Sequence, residues 1–199
     1  MRVIAGTFRS RILKSLKGLA LRPTSDRLRE TLFNVLGSGV AGSRFLDLFA
    51  GTGAIGIEAL SRGAAEVVFV ENHPPAAALI RRNLASLGIR SEATVLALDA
   101  HRALEKLASR QKREVLAFNF IFLDPPYAAA KDYIRVLEFL GSADLLASSG
   151  IVVAEHRRSF ALPEAAGELL RYRVLKQGDA TLSFYRRAVS AAGENDSAE

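Results

Sequence analysis

The sequence of 199 residues has no cysteine, no tryptophan and only one methionine. Without cysteine the chain cannot form disulfides, thiolate metal sites or a cysteine nucleophile. Its three histidines, His73, His101 and His156, have no neighbouring ligand at metal spacing, so we expect no metal site. A run of about 18 apolar residues is also missing, as is a charged-then-apolar leader. These absences predict a cytoplasmic protein with no membrane span.

The positive charge of the chain is concentrated at its N-terminus. The net charge is +6, and residues 1–30 contain eight basic and two acidic residues while the remainder is balanced. Such a segment is typical of a contact with a polyanion, although a solvated basic face is the alternative. The basic residues that are candidates for this polyanion contact are Arg2, Arg9, Arg11, Lys14 and Arg22.

The order of apolar runs predicts one α/β domain with an N-terminal extension. Residues 2–14 resemble a short basic β-hairpin, and a helix follows from about Thr24 to Gly37. Strand-like runs then alternate with helical stretches, which predicts a mostly parallel sheet covered on both faces. The strands are expected at 44–49, 66–71, 92–98, 118–124 and 150–155, and the helices at 54–62, 75–87, 101–109 and 131–141.

The end of the chain breaks this alternation. Residues 169–176 and 181–186 are joined through a short polar turn, so we expect an antiparallel C-terminal hairpin. The tail 188–199 is small, polar and acidic and is predicted to be disordered. We therefore divide the chain into an extension (1–40), a main domain (41–187) and a tail (188–199); the length suits one domain with a full-sized core, and we expect a monomer.

A glycine loop follows the first predicted strand. Gly51, Gly53 and Gly56 permit a tight turn and close approach of a ligand to the start of the next helix. Glu71, twenty positions beyond Gly51, lies where a ribose-binding acid is expected. The pattern fits either a dinucleotide or S-adenosylmethionine. Asp47, inside the strand, would oppose a pyrophosphate but could pair with an ammonium, which favours the second interpretation.

Two further acidic groups follow later strands. Asp99 ends the third strand, where its carboxylate could accept a hydrogen bond from an adenine amine. The fourth strand ends in Asp124-Pro125-Pro126-Tyr127, which combines an acidic acceptor, two rigid prolines and an aromatic ring. These four residues are candidates to bind a flat group that carries an amine, through hydrogen bonds from its N–H groups and stacking on its ring. The plainer interpretations are helix caps for the acids and a Pro-Pro turn with a surface tyrosine.

Taken together, these segments resemble class I S-adenosylmethionine-dependent methyltransferases. The narrower resemblance is to the RsmD family, which methylates the exocyclic N2 of a guanine in 16S rRNA. It is carried by the opening residues 2–6, by the block Leu21 to Asn34 and by the stretch 56–64 after the glycine loop. It runs from residue 2 to about 187.

The resemblance implies a Rossmann-like sheet, S-adenosylmethionine as cofactor, and the small ribosomal subunit as partner. Asp47 and the Gly51–Gly53 backbone would bind the methionine end, Glu71 the ribose and Asp99 the adenine. Thr24, Arg27 and Phe33 would belong to a lid over the cofactor. The implied cofactor-binding residues are Thr24, Asp47, Phe49, Gly51, Thr52, Gly53, Glu71, Asn72, Asp99 and Ala100. Asn72 departs from the apolar residue that methyltransferases often place against the adenine.

Amine methylation is the chemistry that these residues favour. Asp124 and the Pro125 carbonyl would accept hydrogen bonds from an exocyclic amine and aim its lone pair, with Tyr127 stacked on the base. Methylation at C5 of a pyrimidine usually needs a thiolate, which this chain lacks. The alternatives are a DNA adenine-N6 methyltransferase, a protein glutamine methyltransferase, a dinucleotide-dependent oxidoreductase and a non-catalytic RNA-binding protein.

Overall fold

The computed structural model describes residues 1–15, 24–111, 117–126 and 130–188. The helices are α1 (Asp26–Leu36), α2 (Ala54–Ser61), α3 (Pro74–Ser86), α4 (Ala100–Gln111) and α5 (Ala130–Ser142), with a 3₁₀ turn at Gly37–Val40. The strands are β1 (Arg44–Leu48), β2 (Glu66–Val70), β3 (Ala93–Leu96), β4 (Phe118–Leu123), β5 (Leu146–Arg157), β6 (Ala165–Ala166), β7 (Leu169–Gln177) and β8 (Ala180–Arg187). None of the described helices is long and apolar enough to cross a membrane.

All eight strands form one mixed sheet in the order β3-β2-β1-β4-β5-β8-β7-β6. The first five strands are parallel, and β8 returns antiparallel to β5 and pairs with β7. The chain moves outward from β1 in one direction and then in the other, so the strand order reverses between β1 and β4. The predicted α/β sheet with an antiparallel C-terminal hairpin is confirmed.

The sheet is buried on both faces, which is why its central strands are continuous apolar runs. One face packs Phe45, Phe69 and Phe122 against the helices α1, α2 and α3. The other packs Leu46 and Ile121 against α4 and α5. Polar side chains that bind a ligand or take part in catalysis must therefore lie at the ends of the strands, where the helices do not cover the sheet.

Helix α1 begins because Ser25 caps it, accepting a hydrogen bond of 3.2 Å from the Leu28 N–H. It ends at Gly37, whose φ of 60° is strained for other residues. Its buried positions include Leu28, Leu32 and Phe33, and the Phe33 ring lies 6.2 Å from that of Phe45. This helix is therefore part of the core of the sheet.

The N-terminal segment forms a compact loop closed by an antiparallel bridge between Arg2 and Ile12, as the predicted hairpin requires. Its backbone is docked on α2: the Ile4 and Ala5 N–H groups donate to Glu58 at 2.8 and 3.0 Å. Gly6, with a φ of +81°, lies so close to α2 that a Cβ would overlap the Ser61 carbonyl.

Three strands differ from the prediction by more than one residue. β5 begins at Leu146 rather than 150, because Leu146 pairs with Phe118 of β4, and it runs to Arg157 because antiparallel pairing with β8 continues to that residue. β3 is only four residues long and half-exposed, since it forms the edge of the sheet. The two-residue β6 lacks a sequence signal because it is held by pairing with β7. Residues 189–199 lie outside the described residues, and the division at residue 40 stays a prediction.

Candidate active site

The site is built on the loop between β1 and α2, which takes an unusual backbone path. Phe49, Gly51 and Gly53 have φ values of 62°, 55° and 78°, all in the left-handed region. Phe49 is the informative residue, because a non-glycine residue in this region stores strain that is concentrated at functional sites. At the end of the loop, a Cβ on Gly56 would lie 2.8 Å from Val67 and overlap the Phe69 ring. Glycine there lets α2 pack directly on the sheet.

Asp47 lies beneath this loop and is only 2% exposed. Its Oδ2 accepts a hydrogen bond of 3.0 Å from the Gly56 N–H in the first turn of α2. Burial raises the pKa of Asp47 to about 7; the Gly56 N–H opposes this shift, and the nearby charge of Glu71 adds to it. The structure thus gives Asp47 a role in holding the helix start, and its contact with the methionine ammonium stays a prediction.

Glu71 holds the other side of the loop. Its Oε2 accepts from the Gly51 N–H and its Oε1 from the His73 N–H, both at 2.8 Å. The carboxylate is 8% exposed and borders a cavity. One acid at the end of β2 therefore orients the glycine loop after β1 and also presents an edge to a ligand.

The cavity beyond β2 and β3 has a volume of about 150 Å³. Five predicted residues meet here, namely Phe49, Glu71, Asn72, Asp99 and Ala100. Phe49 and the aliphatic side chains give it apolar walls, while Glu71 and Asp99 place acceptors at its rim. A flat group with polar edges, such as a nucleoside, suits this combination. Asp99 also caps α4 by accepting from the Arg102 N–H at 3.0 Å, and its contact with an adenine amine stays a prediction.

Sequence reasoning missed the part of this cavity that α5 contributes. Asp132, Arg135 and Val136 line it together with His101, Val70 and Leu98. The spacing of 132, 135 and 136 puts these side chains on one helical face, but the direction of that face depends on how α5 packs on the sheet. No feature of the sequence distinguishes α5 from an ordinary amphipathic helix.

The other predicted cofactor residues lie around the loop rather than in this cavity. Gly51 and Gly53 form its turn, and the Thr52 carbonyl accepts from the Asn83 side chain at 3.2 Å. Thr24 lies elsewhere: its hydroxyl donates to Glu155 Oε2 at 2.8 Å. Arg27 is exposed and Phe33 is buried in the core. The structure therefore separates the lid candidates from the cavity.

The predicted acceptor residues follow β4, on the opposite side of β1 from the cavity. Asp124 is partly exposed, Pro125 is buried and Pro126 is exposed, while Tyr127 lies outside the described residues. Leu123 pairs with Leu48 on one side and with Ala154 on the other. Asp124 is thus next to the start of the glycine loop and next to Glu155, a buried acid at 5% exposure that no sequence motif marks.

The predicted RNA-binding arm is exposed on the same side of the sheet as α2. Arg9, Arg11 and Lys14 are exposed, and the Arg2 side chain, 68% exposed, lies 3.7 Å from Asp26. Arg22 is outside the described residues. The arm is anchored through its backbone N–H groups, which leaves its cationic side chains available to solvent. The described residues contain no group of three or more His, Asp or Glu side chains that could hold a metal ion.

Comparison with known proteins identifies the family. A family model described as "Conserved hypothetical protein 95" matches residues 1–186. The chain belongs to this family. A relative, the Ribosomal RNA small subunit methyltransferase D of Escherichia coli (strain K12), is 33% identical over 198 residues, covering 98% of this chain and 93% of its own length. The resemblance to the RsmD family is thereby confirmed.

Two further proteins are similar to this chain over most of its length. The putative rRNA methyltransferase YlbH of Bacillus subtilis (strain 168) is 40% identical over 187 residues, covering 94% of this chain and 99% of its own. The solved structure of a hypothetical protein from Thermus thermophilus superposes with a TM-score of 0.78 at 30% identity, covering 94% of this chain and 99% of that one. The likeness spans the arm, α1 and the sheet rather than the sheet alone.

Proposed function

We propose that this protein transfers a methyl group from S-adenosylmethionine to the exocyclic N2 amine of a guanine in 16S rRNA. The observation that carries the proposal is the placement of two groups of residues, those of the cavity and those of the acceptor segment, on either side of the glycine loop. The cavity lies beyond β2 and β3, and Asp124-Pro125-Pro126 follows β4. In open α/β sheets ligands bind where the strand order reverses, which here is between β1 and β4. The substrate class follows the name of the E. coli relative.

The residues of the cavity fit S-adenosylmethionine. We assign Glu71 to the ribose hydroxyls and Asp99 to the adenine amine, with Phe49 against the base. Asp47 and the Gly51–Gly53 backbone are assigned to the methionine end, where the Asp47 carboxylate suits the ammonium. Thr52, Asn72 and Ala100 complete the proposed set, whereas Thr24, also predicted to bind the cofactor, lies beside Glu155 near the acceptor residues. When bound, the cofactor supplies a methyl group that is already activated by a positive sulfur.

The protein contributes orientation of the acceptor. Asp124 and the Pro125 carbonyl accept hydrogen bonds from the amine and direct its lone pair toward the cofactor, while Pro126 keeps this segment extended. Tyr127 stacks on the base. Positioning of this kind supplies about 7–11 kcal/mol without a covalent intermediate. A paired base cannot reach such a pocket, so the guanine must be unpaired or extruded.

RNA binding is assigned to the arm. Phosphates near the target guanine are contacted by five basic residues, namely Arg2, Arg9, Arg11, Lys14 and Arg22. Because the backbone of the arm is fixed to Glu58 on α2, the helix that starts at the glycine loop, it holds the RNA at a set distance from the cofactor site. We propose that the enzyme acts in the cytoplasm as a monomer.

The decisive experiment measures methyl transfer from labelled S-adenosylmethionine to small ribosomal subunits that lack the modification, to naked 16S rRNA and to DNA. Nucleoside analysis of the product should show N2-methylguanosine from one of the two RNA substrates. Label in N6-methyladenine of DNA would establish the DNA methyltransferase alternative instead. Binding of NAD(P) in place of S-adenosylhomocysteine would indicate the oxidoreductase.

A further inference from the structure

The outer strands β7 and β8 present an aromatic and cationic surface that the proposed site does not use. Leu170 and Tyr172 are 46% and 40% exposed, and Arg173 and Arg186 are also exposed. We call these four residues the β7–β8 patch. Beyond its short pairing with β6, β7 is the edge strand of the sheet among the described residues.

A bulge in β7 creates the patch. The register shifts between Arg171 and Arg173, so Tyr172 is an extra residue in the ladder with β8. In a regular strand Tyr172 and Arg173 would lie on opposite faces. Here both contact the Phe184 ring, Tyr172 with ring centroids 6.3 Å apart and Arg173 with its guanidinium 6.0 Å away. Phe184 is fully buried, and these two side chains lie against its ring.

The two arginines of the patch have no acidic partner among the described residues. The Arg186 guanidinium lies 5.2 Å from the Tyr172 ring, and Arg173 lies over Phe184. The other two arginines of the hairpin differ, since Arg171 pairs with Glu164 and Arg187 with Glu168. Residues 169–187 contain five basic residues and one acidic residue. This local excess of positive charge is not apparent from the net charge of residues 31–199, which is zero.

The patch is within reach of an RNA held at the acceptor site. Arg173 pairs with Phe184, Phe184 with Val153, and Val153 with Phe122, two residues before Asp124. Three strand spacings of about 4.8 Å separate β4 from β7, or roughly 14 Å. Phe122, Val153 and Phe184 belong to the same core cluster, which also contains α1 and the anchored arm. The arm and the patch therefore flank the acceptor site on one side of the sheet.

We propose that the β7–β8 patch is a second RNA contact, at which an unpaired base near the target stacks on Tyr172 while Arg173 and Arg186 bind phosphates. The inference rests on the proposed function. Exposed tyrosine beside arginine is the combination that binds single-stranded nucleic acid. A second copy of the chain fits less well, because a two-fold interface would place these cations against themselves. Charged side chains at a sheet edge also prevent pairing with other chains, which explains the arginines of the patch but not Tyr172.

The test measures the Kd of the full-length protein for small ribosomal subunits lacking the methylation, with matched variants in β7. Tyr172→Ala should weaken binding about 5- to 150-fold, the value of one stacked base, and Tyr172→Phe should restore it. Val174→Ala is the control, because Val174 is also 40% exposed but pairs with Ser183 on the opposite face. The Kd for S-adenosylhomocysteine should stay unchanged in all three variants, which shows that they fold.

The charged pair is tested through the salt dependence of the same Kd. Arg173→Ala with Arg186→Ala should reduce the slope of log K against log salt by about 0.7–0.9 for each phosphate no longer neutralised, whereas Lys176→Ala should leave it nearly unchanged. Equal Kd values for Tyr172→Ala and Val174→Ala would overturn the proposal, as would a dimer of the wild type that the patch variants abolish. If the wild type binds and methylates RNA while the patch variants have the same Kd and salt dependence as the control variants, the proposed function is supported and only the second RNA contact is contradicted.

Discussion

The hydroxyl of Thr24 donates a hydrogen bond of 2.8 Å to Glu155 Oε2 across 131 positions of the sequence. It joins the residue before the Ser25 cap of α1 to the strand beside Asp124. Glu155 is buried, so this hydroxyl is one of the groups that offset the cost of burying its carboxylate. Thr24 therefore connects the segment leading into α1 to the proposed acceptor site rather than to the cavity beyond β3.

Thr24→Val should destabilise the protein by about 1–3 kcal/mol, because it removes a donor from a buried acid, and should lower kcat more than it changes the affinity for S-adenosylhomocysteine. Urea unfolding and single-turnover methyl transfer measure the two effects. Thr24→Ser keeps the hydroxyl and should behave as the wild type. A Thr24→Val variant with unchanged stability and turnover would show that the bond has no role.

Asp124→Ala should abolish methyl transfer while leaving the Kd for S-adenosylhomocysteine nearly unchanged, because the cavity lies on the other side of β1. Isothermal calorimetry and methyl transfer with the same preparation provide both values. Asp144→Ala, which removes a carboxylate that is 94% exposed, is the control. Turnover of Asp124→Ala close to that of the wild type would contradict the role assigned to Asp124.

Asp47 should make the stability pH-dependent. Its folded pKa of about 7 lies above its ordinary value of 3.8, so between these values the folded state holds a proton that the unfolded state has released. The free energy of unfolding should therefore fall as pH rises from about 4 to 7, by up to ~1.4 kcal/mol per pH unit from this group. Below about pH 4 the contribution is fully present.

Asp47→Asn removes this titration and keeps an oxygen that can accept from the Gly56 N–H. Urea unfolding across the range between the two pKa values should therefore show a steeper decline for the wild type than for the variant. Parallel pH profiles for the two proteins would mean that Asp47 is not protonated in the folded state near neutral pH.

Gly6→Ala should release the arm from α2, because it adds a Cβ that overlaps the Ser61 carbonyl as well as strain at a φ of +81°. We expect a loss of stability above the ~1–2 kcal/mol of left-handed strain alone, together with weaker RNA binding. Gly88→Ala is a matched control: its φ is +74° but no atom lies within 4 Å of the added Cβ. Equal destabilisation of the two variants would show that the arm is not held at Gly6.

Neutralising Arg9, Arg11 and Lys14 together should weaken binding to 16S rRNA and flatten its salt dependence, by about 0.7–0.9 in log–log slope for each phosphate that the arm no longer neutralises. The Kd for S-adenosylhomocysteine should not change, because these side chains are exposed on the arm. An unchanged slope would assign the RNA contact to another surface.

The strand-end acids show how far sequence reasoning reaches. Glu71 and Asp99 are predictable at one edge because the carboxyl ends of parallel strands coincide, and the structure brings both to the same cavity. Glu155 is not predictable, because an acid within a long apolar strand has no motif around it. Its relevance comes from the register of β4 and β5 and from the packing of α1, neither of which is local in sequence.

Local patterns in the chain specify the α/β order, the antiparallel hairpin at the end, the glycine loop and the basic arm, because periodicity, turn residues and charge can each be read from a short segment. Tertiary packing selects which groups these elements bring together. Asp47 and Glu71 hold the loop through backbone N–H groups, and Thr24 meets Glu155 rather than the cavity. A bulge turns Tyr172 and Arg173 to one face of β7. Such contacts depend on strand register and helix packing, which long-range burial selects and no short segment encodes.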